Sequence, residues 1–140
     1  MKHIYSLLFL LITSYCAHAQ EEPLQEGVHN FTLQWIGWNT PGKVQIDKKE
    51  NNIYTIKGEQ RSVDKTEFAT ITGTLQVLSA RELLFEGKIQ TRTNDNNNGE
   101  VCDKTGTYHF LAKGDRKYWR LQEMDNCEGN NVVDYVDIYF

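Results

Sequence analysis

The chain holds few of the residues from which catalytic and metal sites are usually built. It has three cysteines, four histidines, two prolines and two methionines in 140 residues. Beyond residue 19 the only serines are Ser62 and Ser79, both in predicted turns and neither in a Gly-x-Ser-x-Gly setting, so a serine nucleophile has no support. Beyond the same point the histidines are His29 and His109, placed in different predicted strands, and no metal site or cofactor is expected from so sparse a set. No apolar run past the opening segment approaches the ~20 residues that a membrane helix needs. Basic charge is also in deficit, 15 Lys and Arg against 19 Asp and Glu for a net charge of −4. That balance argues against nucleic acid or an anionic membrane surface as a partner.

What the chain does have begins at its first residue. Met1-Lys2-His3 precedes an apolar run over residues 4–12 and then Ala17-His18-Ala19, the pattern of a cleavable secretory signal over 1–19 that leaves Gln20 first. Cys16 follows Tyr15, where a lipoprotein signal carries a small residue, so lipidation is not expected. Removing Lys2 makes the remaining chain one unit more negative, and roughly 120 residues make one domain of ordinary size. The expected organisation is a signal peptide over 1–19, a flexible segment over 20–28, and a single domain completing 20–140, exported to a periplasmic or extracellular compartment. In that oxidising setting Cys102 and Cys127, the two cysteines left, are expected to form a disulfide.

From Phe31 onward apolar residues alternate, which is the period-two signal of half-buried strands. Eight segments follow from it, at about 29–38, 43–49, 52–60, 67–78, 82–92, 100–112, 117–127 and 132–140, joined mostly by short polar links that suit antiparallel neighbours. Matching apolar partners sets Ile71 against Ile89, Gly73 against Gly87, Leu75 against Phe85 and Val77 against Leu83. The same test sets Val44 against Ile56 and Ile46 against Tyr54. In the sixth and seventh segments a four-residue loop over 113–116 sets Phe110 against Trp119, Tyr108 against Leu121 and, at the far end, Cys102 against Cys127. Gly58, Gly73, Gly87 and Gly106 recur at mid-strand on the apolar face, as at the bends of a closed sheet. The expected fold is all-β, an antiparallel up-and-down meander closed into an eight-stranded barrel, with a β-sandwich as the alternative.

Candidate site residues are few. The register just given places His109 opposite Arg120, Leu111 opposite Tyr118 and Thr107 opposite Gln122 on the outward face, a mixture of aromatic, basic and amide groups of the kind that binding surfaces use. Arg116-Lys117-Tyr118-Trp119-Arg120 would suit base stacking, but alternation turns Trp119 inward and Glu123 and Asp125 follow. Asp134 and Asp137 fall on opposite strand faces, so they do not converge as a general acid and base. Residues 92–100 form a long polar loop that lacks the glutamate of a calcium loop, having Thr105 at that place. Asn30-Phe31-Thr32 fits a glycosylation sequon. Trp35 and Trp38 in the first strand, with Arg120 in the seventh, give a layout that resembles the lipocalins and other calycins, whose first strand carries a Gly-x-Trp motif and whose last strands offer an arginine that packs over that tryptophan. Here Gly37 and Trp38 are adjacent.

Alternation also permits an inside-out barrel with its apolar face in a membrane, but Lys104, Glu123, Asp125 and Asp134 lie in the apolar rows, where a lipid-facing lysine near the midplane costs roughly 2 to 4 kcal/mol. The expected function is therefore an exported, noncatalytic binding module. Its ligand is a small amphipathic molecule at the barrel mouth or an envelope protein, and His109, Tyr118, Arg120, Gln122, Trp35 and Trp38 are the candidate contacts. A structural or inhibitory envelope protein is the alternative.

Overall fold

A computed structural model of the chain describes residues 24–140, and the expected signal peptide lies outside the described residues. Eight strands form one closed antiparallel barrel in which each pairs with the next in sequence and the last pairs with the first. They are β1 (Gly27–Leu33), β2 (Gly42–Glu50), β3 (Ile53–Arg61), β4 (Phe68–Ser79), β5 (Glu82–Arg92), β6 (Cys102–Leu111), β7 (Tyr118–Leu121) and β8 (Val136–Tyr139). The short strand β8 completes the ring, through Phe31–Ile138, Thr32–Asp137 and Leu33–Val136 on one side and Tyr118–Tyr139, Trp119–Ile138 and Arg120–Asp137 on the other. Residues 24–28, expected as part of a flexible segment, are docked. Leu24 is buried in the core, and the Gln25 carbonyl accepts a hydrogen bond from Nε2 of His29 at 2.7 Å.

The apolar rows point inward. Phe31, Leu33, Ile46, Tyr54, Ile56, Ile71, Leu75, Leu83, Phe85, Phe110 and Trp119 fill the interior, with Phe110 edge-on to Phe85 at 6.0 Å. Lys43, Gln45, Asp47, Lys57 and Glu59 line the outside and are exposed or half-exposed, the reverse of what a lipid-facing wall requires. Gly73 and Gly87 oppose each other where two strands nearly touch. A Cβ on Gly73 would stand 2.3 Å from the Glu86 carbonyl oxygen, and one on Gly87 would stand 2.3 Å from that of Thr72. No side chain fits there, so the strands bend inward and the small barrel closes.

The β4–β5 register agrees with the apolar matching, from Ile71–Ile89 through Val77–Leu83. Two other registers differ from expectation by two residues. Val44 faces Gly58, Ile46 faces Ile56 and Lys48 faces Tyr54, because the turn is the tight pair Asn51-Asn52, with Asn52 at φ 60° and a bulge between Lys48 and Glu50. Between β6 and β7, Phe110 faces Leu121 and Leu111 faces Arg120, and the loop takes residues 112–117. His109 is therefore not opposite Arg120. Its carbonyl accepts from the Gln122 N–H at 2.8 Å.

Two boundaries also move. β1 stops at Leu33, whose carbonyl accepts from both Ile36 and Gly37, so Trp35 and Trp38 sit in the β1–β2 connection and not in the strand. β7 stops at Leu121 because residues 124–126 turn away to pair with 132–134, through Met124 O with Asp134 N–H, Asn126 N–H with Val132 O, and the Asp125–Val133 bridge. Among the described residues the longest span without a strand is thus 122–135, not the polar loop after β5, which holds a short 3₁₀ turn at Asn97–Gly99 and a buried Asn96.

Cys102 and Cys127 are joined, with Cα atoms 5.5 Å apart. The bond ties the first residue of β6 to the departing segment, so it holds the wall together where strand pairing has ended. It closes a 25-residue separation, worth about 3 kcal/mol in the chain-entropy account. Replacing both cysteines by serine should lower the unfolding free energy measured in urea by roughly that amount, with folding retained. An unchanged midpoint would show that the segment is held without the bond.

Candidate functional site

Three of the expected contacts meet on the outside of the β7–β8 seam. Tyr118 and Arg120 point outward from β7, and the β1–β2 connection brings Trp38 over them. That connection is bolted down. Gln60, reaching from β3, accepts from the Leu33 N–H at 2.6 Å and donates Nε2 to the carbonyls of Gly37 at 2.8 Å and Thr40 at 2.9 Å. Gly37 has φ +129°, a conformation that side-chain-bearing residues rarely adopt, and it delivers Trp38 to the wall. Gln34 fastens the other flank, donating to the Val133 carbonyl and accepting from the Tyr135 N–H, each at 2.7 Å.

At the centre of this patch lies an ion pair. Arg120 donates Nε to Oδ1 of Asp137 at 2.7 Å and Nη2 to Oδ2 at 2.8 Å, directly across the β7–β8 ladder. Asp137 is fully covered although its side chain points away from the barrel interior, and the Arg120 side chain is 13% exposed. Burial raises the carboxyl of Asp137, with the guanidinium of Arg120 working against that rise. The hydrogen bonds that Arg120 donates to Asp137 in turn hold the guanidinium charged. Two short bonds to a permanently charged group fit the ionised pair. Aromatic rings surround the guanidinium, with Tyr135 at 4.2 Å from ring centroid to Cζ, Tyr118 at 5.1 Å and Trp38 at 5.8 Å. The packing of Arg120 over Trp38 is the contact that the calycin-like layout implies. Trp38, Tyr118, Arg120, Asp137 and Tyr139 line an open pocket of about 230 Å³.

The other three expected contacts go elsewhere. Trp35 donates Nε1 to Oδ1 of the buried Asp134 at 3.0 Å, and Asn126 donates Nδ2 to both oxygens of the same carboxylate. His109 and Gln122 belong to a slot in the wall where β6 and the departing segment separate. Glu123 bridges it, accepting from the His109 backbone N–H and from Nδ1 of its ring, each at 2.8 Å. Lys104, half-buried from the inner face of β6, donates Nζ to the Glu123 carbonyl at 2.9 Å. Burial lowers the ammonium of Lys104, against the pull of Asp134, Asp125 and Glu123. The slot, about 390 Å³, is lined by Lys104, Tyr108, Gln122, Glu123, Met124 and Asp125.

Asp137, Tyr135 and Tyr139 are site residues that sequence reasoning passed over. A signal existed in the parity of the last two strands, since Arg120 and Asp137 both occupy outward positions. No group of three or more His, Cys, Asp or Glu able to hold a metal occurs among the described residues.

Residues 14–140 match the PM1083 family. The chain belongs to that family. It is similar to the uncharacterized protein PM1083 of Pasteurella multocida (strain Pm70), with 41% identity over 115 residues that span 81% of this chain and 72% of that protein. No solved structure matches it.

The slot of this PM1083-family barrel gives a pH dependence. Hydrogen bonding to Glu123 raises the pKa of His109 above 6.5. Burial pulls Glu123 upward, but its bonds to the His109 ring and backbone outweigh this and set it below 4.5. The glutamate's stabilising share is complete above 4.5 and is lost as pH falls through its lowered value. The histidine's is complete below 6.5 and is lost as pH rises through its raised value. The pair therefore contributes most between those limits. The stability difference between the parent and Glu123→Gln should be largest near pH 5.5 and shrink toward about pH 9 in denaturant titrations. A difference constant across that range would contradict it.

Proposed function

We propose that this PM1083-family protein is an exported, noncatalytic binding module whose binding surface is the Trp38–Arg120 patch on the outer wall. One observation carries the reading. An ion pair with its carboxylate fully buried, Arg120 with Asp137, is flanked by Trp38, Tyr118 and Tyr135, while Arg120 keeps a small exposed edge and Trp38 remains 45% exposed beside a pocket. Tyr, Trp and Arg are the residues that supply most binding energy at interfaces, and a side chain already fixed in place loses little entropy when a ligand arrives. Gln60 and Gln34 hold the patch in shape before any ligand is present.

The interior speaks for the outer wall over the barrel mouth, because aromatic and branched side chains fill the ring of strands. The patch also offers little for bond-making chemistry. Its carboxylate is covered and engaged by Arg120 through both oxygens, which leaves it poorly placed to take a proton from a substrate. The disulfide fits an oxidising compartment, as export requires.

Trp38→Ala tests the reading, with urea unfolding of parent and variant run alongside to show that both are folded under the binding conditions. Parent and variant are incubated with a cell-envelope extract, washed, and their retained small molecules and proteins compared by untargeted mass spectrometry. At least one species should be retained by the parent and lost from the variant. Identical retention, or none by either, would overturn the proposal.

A further inference from the structure

We propose that the pocket beside Trp38 is a saccharide subsite for one sugar ring bearing a carboxylate, with the ring against Trp38 and the carboxylate on Arg120. This rests on the reading of the patch as the binding surface. Its first support is size. At about 230 Å³ the pocket lies below the ~300 Å³ at which drug-sized ligand sites begin, which favours a small ligand.

The second support is the unused edge of Arg120. Asp137 takes the side edge of the guanidinium, Nε and Nη2. Nη1 and the second N–H of Nη2 donate to no acceptor among the described residues. Those N–H groups form the end edge, which matches a second carboxylate in the planar, two-bond arrangement that arginine favours. Because the first carboxylate already holds the side chain still, the second would meet a fixed donor pair.

Charge and ring faces supply the rest. Arg116 lies over the ring of Tyr118, 5.5 Å from Cζ to centroid, near enough for its charge to act on Asp137, so two guanidinium groups stand beside one carboxylate. This spot therefore carries excess positive charge in a chain whose net charge is −4. A small anion alone would make no use of the rings. The C–H faces of a sugar are apolar and polarised positive, which suits the negative face of the exposed Trp38 indole, and the Tyr118 and Tyr139 hydroxyls can exchange hydrogen bonds with sugar hydroxyls.

The test titrates the full chain with glucuronate, galacturonate, glucose, galactose, acetate and benzoate, read by calorimetry and tryptophan fluorescence. The uronates should bind at least about tenfold more tightly than the neutral sugars, acetate and benzoate. Trp38→Ala should weaken them by about tenfold, and added salt should weaken them further. Equal affinity for glucose and glucuronate, acetate or benzoate matching the uronates, or no effect of Trp38→Ala would overturn the assignment. If no uronate binds while Trp38-dependent retention from envelope extract persists, the sugar assignment fails and the binding surface stands. If neither is seen, both fail.

Discussion

The Arg120–Asp137 ion pair is the interaction on which the closed barrel and its outer site jointly depend. β8 has four residues, yet it supplies all the pairing that joins β7 to β1. Asp137 stands in the middle of that strand with its carboxylate buried, on the face away from the core. A buried charge is tolerable only when paired and hydrogen-bonded, so the strand that closes the ring is acceptable there because Arg120 lies across it. The same guanidinium gathers Trp38, Tyr118 and Tyr135 around itself. The strand that closes the ring and the outer site thus share one contact.

The fold was legible in the sequence to the extent that side-chain parity determines it. Alternation placed Ile71, Leu75, Phe85, Phe110 and Trp119 inside and Tyr118 and Arg120 outside, and all of them lie so. A slip of one residue reverses every face and is excluded by the pattern, but a slip of two preserves every face and leaves the pattern satisfied. Both register errors, Val44 facing Gly58 and Phe110 facing Leu121, are slips of two. The deciding features were a two-residue Asn51-Asn52 turn and the early departure of β7, neither of which alternation encodes. The disulfide partners were legible for a separate reason, as the only cysteines beyond residue 19, and their bond survives the register error because it joins β6 to a segment that has left the ladder.

The candidate site was half legible. Tyr118 and Arg120 followed from parity, and Trp38 from the calycin-like layout. His109 and Gln122 were assigned to the same patch through the slipped register, and they line or border the slot instead. Asp137 was hidden because its partner is set by the length of the excursion over residues 122–135, which brings β8 alongside β7 at one register out of several. Trp35 was separated from Trp38 by its hydrogen bond to Asp134, a contact that depends on the same excursion.

A double-mutant cycle on the ion pair, Arg120→Met, Asp137→Leu and both together, measured by urea unfolding, tests the central claim most directly. If the pair is the shared clamp, Arg120→Met strands a buried carboxylate and costs about 3 to 5 kcal/mol, while the double substitution restores much of that loss. Costs that simply add, with the double variant as unstable as the sum of its parts, would show that the two side chains act independently of one another and would contradict the account.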